Sequence, residues 1–246
     1  AAGRGGAGAP GPWLGGGALD DRELLRFLRG AGGDPAAAWA LLGRAAAWRA
    51  AMGLDAPAID PGSLPWADVI EEELLWLGPT NEGCWALTIA SGKHTPGRVP
   101  ADAYARYLAA ALEWGRRHLG VGVAGGVCAM VDRTHGGASN ADLPLAQALF
   151  PIFQEYYPEI LDAAYIAPVN RVFWSIWFAA KLFIDKKYTD KVRVLSGDDY
   201  RARLAAAFPA EALPAHLGGA RPAAAGYPAL LEEEGAAAAG AAPVAA

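Results

Sequence analysis

The feature that most limits how this chain can fold is Val172-Phe173-Trp174-Ser175-Ile176-Trp177-Phe178, a helical stretch that is apolar nearly all the way round. A helix on the surface of a globular protein carries one apolar stripe and an opposing polar face. Without the polar face two options remain. The helix is buried on every side as plain core, or it exchanges burial in protein for burial in lipid, as a gate at a membrane would. It does not span a bilayer, because the greasy run from Val172 to Ile184 falls short of the ~20 residues a span needs and is broken by Lys181. Beside it, Arg171, Lys181, Lys186, Lys187, Lys191 and Arg193 face only Asp185 and Asp190. A basic rim next to an oily helix suits an anionic bilayer surface, at ~1 kcal/mol per cation near it. The plainer reading is a solvated charged face.

With 246 residues and 53% hydrophobic content, the chain can bury a sizeable core as one domain, alone or with a smaller helical appendage. Its net charge of -5 provides no global positive field, so no nucleic-acid partner is expected. Cys84 and Cys128, each in an apolar stretch, read as reduced core thiols in a cytosolic setting. The chain begins at Ala1 without a methionine, as expected of a segment of a longer protein.

Residues 1–18 and 220–246 are rich in Gly, Ala and Pro and read as flexible tails. Between them, 19–56 reads as a small helical subdomain. Asp20 or Asp21 is a plausible N-cap for the run Leu24, Leu25, Phe27, Leu28, and a second helix follows Asp34-Pro35 and ends at Gly53. Pro57, Pro61 and Pro65 mark a linker. From 66 to 219 strands and helices alternate: strands over 84–90, 127–131, 164–166 and 192–195, helices over 101–119, 144–157, 172–183 and 199–208. That alternation predicts an α/β sandwich, a sheet covered by helices.

The familiar catalytic and cofactor motifs do not survive inspection. Gly120-Val121-Gly122-Val123-Ala124-Gly125 spells a dinucleotide fingerprint, but it precedes a strand instead of opening a helix, and reads as a loop. His94, His118, His135 and His216 are scattered without the spacing of a metal site, and no metal is expected. Cys128 and His135 could form a thiol and base pair, but no orienting group is implied, and a core cysteine with a surface histidine is the better reading. Asp198 and Asp199 stand where carboxylates cap a helix. No enzyme is indicated.

One set of short motifs does hold together. Val131-Asp132 with Ser139-Asn140, Tyr156-Tyr157-Pro158-Glu159, Phe173 with Trp177, and Lys181-Leu182-Phe183-Ile184-Asp185 follow one another in register. They continue through Lys191-Val192, the turn from Leu195 to Tyr200, and Leu213-Pro214 closing on Gly218-Gly219. This order resembles the CRAL-TRIO lipid-binding domain, and Leu24-Leu25-Arg26-Phe27-Leu28-Arg29 with Trp48-Arg49 resembles the helical subdomain that precedes it. The resemblance implies an α/β/α sandwich whose mixed, largely parallel sheet floors a greasy cavity, with a mobile helix as lid. It also implies a monomer, cytoplasmic and peripheral at membranes, that binds one hydrophobic ligand and transfers it without covalent chemistry. No cofactor is implied beyond the bound lipid.

In phosphatidylinositol-binding members a glutamate and a lysine help hold the headgroup, and they match Glu159 and Lys191. Tyr188, Thr189 and Ser139 fall at further headgroup positions, and Phe173 and Trp177 face the ligand from the lid. Phe173, Trp174, Phe178, Lys181, Phe183, Lys186 and Lys187 would meet the membrane. The sequence departs from that pattern where Ala31 and Gly32 replace a basic pair, where Tyr188 stands for a threonine, and where Gly137 replaces a second serine. A structural salt bridge between Glu159 and Lys191 stays open beside the headgroup role. The ligand stays open between a phospholipid and a neutral terpenoid such as a tocopherol or retinoid, and the role between a carrier and a lipid-sensing module of a larger protein.

Overall fold

The computed structural model describes residues 19–54, 75–122 and 125–221. The tails through residue 18 and from residue 222, and the linker at Pro57, Pro61 and Pro65, lie outside the described residues. Ala220 and Arg221 are still tied down, their amides donating to the carbonyls of Ala210 and Leu213.

Local chemistry sets the two leading helices. Helix α1 (Asp21–Gly30) is capped by the Asp20 carboxylate, which accepts from the Glu23 amide at 2.8 Å. Helix α2 (Pro35–Met52) is capped by Asp34 and carries Pro35 in its first turn, where a missing N–H costs nothing. It stops at Gly53, whose left-handed φ of 69° suits a residue without a Cβ.

The sheet has five strands in the same order in space as in the chain: β1 (Leu75–Pro79), β2 (Trp85–Ile89), β3 (Val127–Asp132), β4 (Leu161–Ala167) and β5 (Val192–Val194). The first pair is antiparallel and the rest are parallel. The edge strand β1 is unanticipated by the sequence reading. Its residues show no alternation, and only the antiparallel pairing with β2 defines it. The connections carry α3 (Ala101–His118), α4 (Leu143–Pro151), α5 (Arg171–Ala180) and a one-turn α6 (Lys186–Thr189), and α7 (Tyr200–Ala207) follows β5.

The long helix predicted over 144–157 divides. Pro151 has no amide to donate and its ring crowds the preceding turn, and from Ile152 to Tyr156 the backbone continues as a π turn. Asp199 sits at the N-cap position of α7, but its side chain makes no capping hydrogen bond, so only the charge-dipole part of that expectation remains. Cys84 is half-buried, not core, and its thiol donates to Asp162 Oδ2 at 3.2 Å. Burial pushes the Cys84 thiol up to about 11 and the Cys128 thiol up to about 12, the opposite of an activated nucleophile.

Alternation along the strands divides the core in two. Ala86, Cys128, Met130, Ala163 and Tyr165 pack with Leu204, Phe208, Leu213 and Leu217 on one face. Leu87, Ala129, Leu161 and Ala164 lie on the other, against Tyr104, Leu108 and Leu112 of α3.

The leading helices dock onto α3 through buried ion pairs. Arg49 Nη1 lies 2.5 Å from Glu113 Oε1, with the two side chains 1% and 2% exposed. The Tyr157 hydroxyl donates to the same Glu113 oxygen at 2.6 Å and accepts from Arg49 at 3.2 Å. From α1, Glu23 meets Arg26 and Arg116. Burial by itself would raise the Glu113 pKa, but the Arg49 and Arg116 guanidinium groups and the hydrogen bonds from Arg49 and Tyr157 outweigh it and hold it below its ordinary value. Stabilisation from Glu113 is therefore complete above its unfolded-state pKa, near 4.5, and is lost as pH falls through the lower folded value. Glu113→Gln leaves the Arg49 cation buried opposite a neutral amide, and urea unfolding at pH 7 is expected to show a loss of about 3 kcal/mol. The variant should also lack part of the wild-type acid sensitivity that sets in as pH falls below about 4.5.

Candidate ligand site

A cavity of about 280 Å³ lies on the α3 side of the sheet. Its floor is strand residues of one face, Leu87 and Ile89 from β2, Ala129 and Val131 from β3, Ala164 and Ile166 from β4. Tyr104 and Leu108 of α3 and Leu145, Leu149 and Phe150 of α4 form its walls, and the π turn turns Phe153 and Gln154 into it. Trp177, Ile184 and Tyr188 close it from the side of α5 and α6. The floor alanines are the local cause of the space. A close-packed core would carry larger side chains at these central positions.

Polar groups gather where the strands end. Just past the carboxyl ends of β2 and β3, Ser91, His94, Arg133, Asn140 and Asp142 line the cavity. Asn140 ties this end together, its Nδ2 donating to the carbonyls of Gly92 at 3.2 Å and His94 at 2.7 Å while its Oδ1 accepts from the Gly137 amide at 2.7 Å. His94 Nε2 lies 3.0 Å from Asp142 Oδ2. Burial would raise the Asp142 pKa, but bonds from the Leu145 amide and His94 leave it lowered. Ligands of open α/β sheets bind outside the carboxyl ends of strands, which is where this cluster stands. Arg133, His94 and Asp142 are not legible in the sequence, because His94 and Asp142 lie 48 residues apart and Arg133 belongs to no local pattern.

Glu159 and Lys191 come together, but at the opposite, amino-terminal edge of β4 and β5. Lys191 Nζ lies 3.4 Å from Glu159 Oε2 and donates to the Leu161 carbonyl at 2.7 Å. Lys187 makes a second pair with Glu159 at 3.2 Å and reaches the Gly30 carbonyl at 3.0 Å. Burial would raise the Glu159 pKa, but Lys191 and Lys187 leave it lowered. None of these three residues lines the cavity; their neighbours Tyr188 and Val192 do. Gly30 allows the approach, since a Cβ there would come within 2.7 Å of Pro158. Ala31 and Gly32 come immediately after this helix end, beside the pair. Glu159 has a φ of 58°, a left-handed conformation uncommon for a residue with a Cβ.

The other predicted positions separate. Tyr188 is 2% exposed and faces the cavity, with both Lys187 and Lys191 over its ring. Thr189 donates to the Lys186 carbonyl at 2.9 Å and Ser139 is exposed, so neither reaches the cavity. Phe173 is buried and stacks on Trp177 at 6.2 Å.

Helix α5 is not buried on every side. Phe173 and Trp177 turn inward while Val172, Trp174 and Phe178 turn out, Phe178 being 75% exposed, and Leu182 just beyond is 77% exposed. Lys181 is exposed with its ammonium over the Trp177 ring, Lys186 is exposed and pairs with Asp190 at 2.6 Å, and Lys187 turns to Glu159. The side chain of Phe183 lies outside the described residues. The start of α5 is fastened by Asn170, whose Oδ1 accepts from the Phe173 amide at 3.1 Å and whose Nδ2 donates to the Gly136 carbonyl at 3.0 Å. No described helix is long and apolar enough to cross a membrane.

Ala164 lines the cavity, so Ala164→Leu should raise stability by about 1 kcal/mol in the ligand-free protein, measured by urea unfolding. A loss of stability would mean that the position is already packed.

A family model, the CRAL/TRIO domain, matches residues 72–219. A CRAL-TRIO domain-containing protein of Schizosaccharomyces pombe is 38% identical over 70 residues, 27% of this chain and 20% of its own length. The phosphatidylinositol/phosphatidylcholine transfer protein SFH7 of Arabidopsis thaliana is 37% identical over 75 residues, 30% of this chain and 14% of its own length. These matches therefore span a fifth or less of the two relatives. The crystal structure of Sfh5 superimposes with a TM-score of 0.59 at 19% identity, covering 74% of this chain and 66% of that one, a likeness of fold. Motif order, a mixed five-stranded sheet and a family match over most of the described chain agree, and the chain belongs to the CRAL/TRIO domain family.

Proposed function

We propose that this domain encloses one hydrophobic molecule, a phospholipid, and carries it between membranes without covalent chemistry. The observation that carries the reading is an apolar cavity closed on one side by Trp177, on a helix whose opposite side exposes Val172, Trp174 and Phe178. A helix that faces the cavity with one side and water with an aromatic other side is suited to part from the sheet at a bilayer, where the exposed face is buried in lipid. Lys181 and Lys186 beside it favour an anionic surface. One relative is a phosphatidylinositol/phosphatidylcholine transfer protein, which supports the choice of ligand class.

A neutral terpenoid is the second reading, favoured by the fact that Glu159 and Lys191 do not line the cavity. A lipid-sensing module of a larger protein would share the cavity and the docking face but would not exchange its ligand. Mass spectrometry of the molecule co-purifying with the native protein is expected to find a phosphorus-containing lipid, and a phosphorus-free ligand would sink the phospholipid reading. Phe178→Asp places a charge on the most exposed aromatic of the gate and should abolish sedimentation with anionic vesicles while leaving the circular dichroism unchanged. Vesicle binding retained by this variant would remove α5 from the docking surface. Transfer of labelled phospholipid between vesicles separates the carrier from the module, since binding without transfer identifies the module.

A further inference from the structure

The polar end of the cavity contains a cation whose surroundings do not account for it. Arg133 is 8% exposed and lines the cavity, yet no carboxylate among the described residues pairs with it. Its contacts are one long hydrogen bond from Nη2 to the Gly137 carbonyl at 3.5 Å and the face of the Phe173 ring, 5.6 Å from the guanidinium carbon. The other buried arginines behave differently. Arg49 pairs with Glu113, and Arg26 and Arg116 share Glu23. Burying a charge costs several kcal/mol unless an opposite charge and hydrogen bonds meet it, so an arginine serving structure alone would be expected to have such a partner.

The nearby carboxylates are engaged elsewhere. Asp132 accepts from the Thr134 amide at 2.8 Å and lies 2.6 Å from His216 Nε2. Asp142, the carboxylate that lines the cavity, is held by His94 and the Leu145 amide. Gly136 keeps the guanidinium where it is, since a Cβ at that position would come within 2.9 Å of it. Burial pushes the Arg133 pKa down, but a guanidinium remains charged in proteins.

We propose that Arg133 is the acid-recognising group of the cavity, and that the ligand is an amphiphile with an anionic head, a carboxylate or a phosphate, at the carboxyl end of β3. This rests on the reading of the cavity as a lipid site and specifies the chemistry of its occupant. The planar fork of donors suits the two oxygens of either head, and the low dielectric of the cavity strengthens the contact. The apolar chain then lies along the strand floor, roughly 20 Å from one end of β4 to the other. Phe173, on which Arg133 rests, lies in the first turn of α5, so the head is bound beneath the start of that helix.

Compounds sharing one oleyl chain test this on the full chain: oleyl alcohol, oleate and oleyl phosphate, each titrated by displacement of a fluorescent apolar probe. Wild type should bind at least one of the two acids at least about tenfold more tightly than the alcohol, and which acid is preferred tells a carboxylate from a phosphate ligand. Arg133→Met should lose that preference while still binding the alcohol, and Arg133→Lys should retain part of it. Equal affinity of wild type for all three overturns the role of Arg133 but leaves the cavity reading intact. Binding of none of them overturns both. The wild-type comparison needs no variant, so the outcome stands even if Arg133→Met does not fold.

Discussion

A largely parallel sheet has to be covered on both faces because its strands carry apolar residues on both, and here the two covers differ in kind. Ala86, Cys128, Met130, Ala163 and Tyr165 are sealed by α7 and the short turns after it. On the opposite face α3 covers only part of the sheet, and Ala129, Ala164 and their neighbours look into open space. Everything that distinguishes the molecule follows from how that space is walled: a helix that cannot be a plain surface helix, a π turn that directs Phe153 and Gln154 inward, and a cluster of polar residues past the carboxyl ends of β2 and β3. The space itself is unfavourable as empty core, since its lining lacks packing partners. Filling it with a hydrophobic ligand restores them.

Rigidity comes from behind the cavity. Arg49, Glu113 and Tyr157 lock α2 to α3 and to the segment after the π turn, and Trp48 stacks on Tyr156 at 4.1 Å. A buried ion pair gives little net stability but strongly penalises any arrangement that separates its partners. The leading helices therefore act as a clamp on the fixed wall, whereas α5, on the other side, is held at its start by Asn170 and exposes its apolar face beyond. That division between a fixed wall and a helix with an exposed apolar face is the arrangement the proposed carrier would need.

Much of this was legible without coordinates because it is local or periodic. Asp20, Asp34-Pro35 and Gly53 announce the ends of α1 and α2 through capping and backbone preference. Strands β2, β3, β4 and β5 and the main helices follow from apolar runs and their spacing. The edge strand β1 was not legible, since its pairing with β2 defines it. The break after Pro151 was written in the chain as a proline but read as continuous helix. In the candidate site, Glu159 and Lys191 were named together and do meet, but Lys187 as a second partner of Glu159 depends on how α6 is seated.

By itself the sequence determined the kinds of element, the family motifs in their order, and the presence of one helix too apolar for an ordinary surface. Tertiary structure decided which side of that helix faces the cavity and which faces water. It also decided that Glu159 and Lys191 close on each other outside the cavity while Arg133 stands within it, paired with no carboxylate among the described residues. The physical reason is that periodicity and capping act between residues a few positions apart. Burial and charge pairing act between groups brought together from distant parts of the chain, and whether a buried cation has its counter-ion cannot be read from its neighbours in sequence.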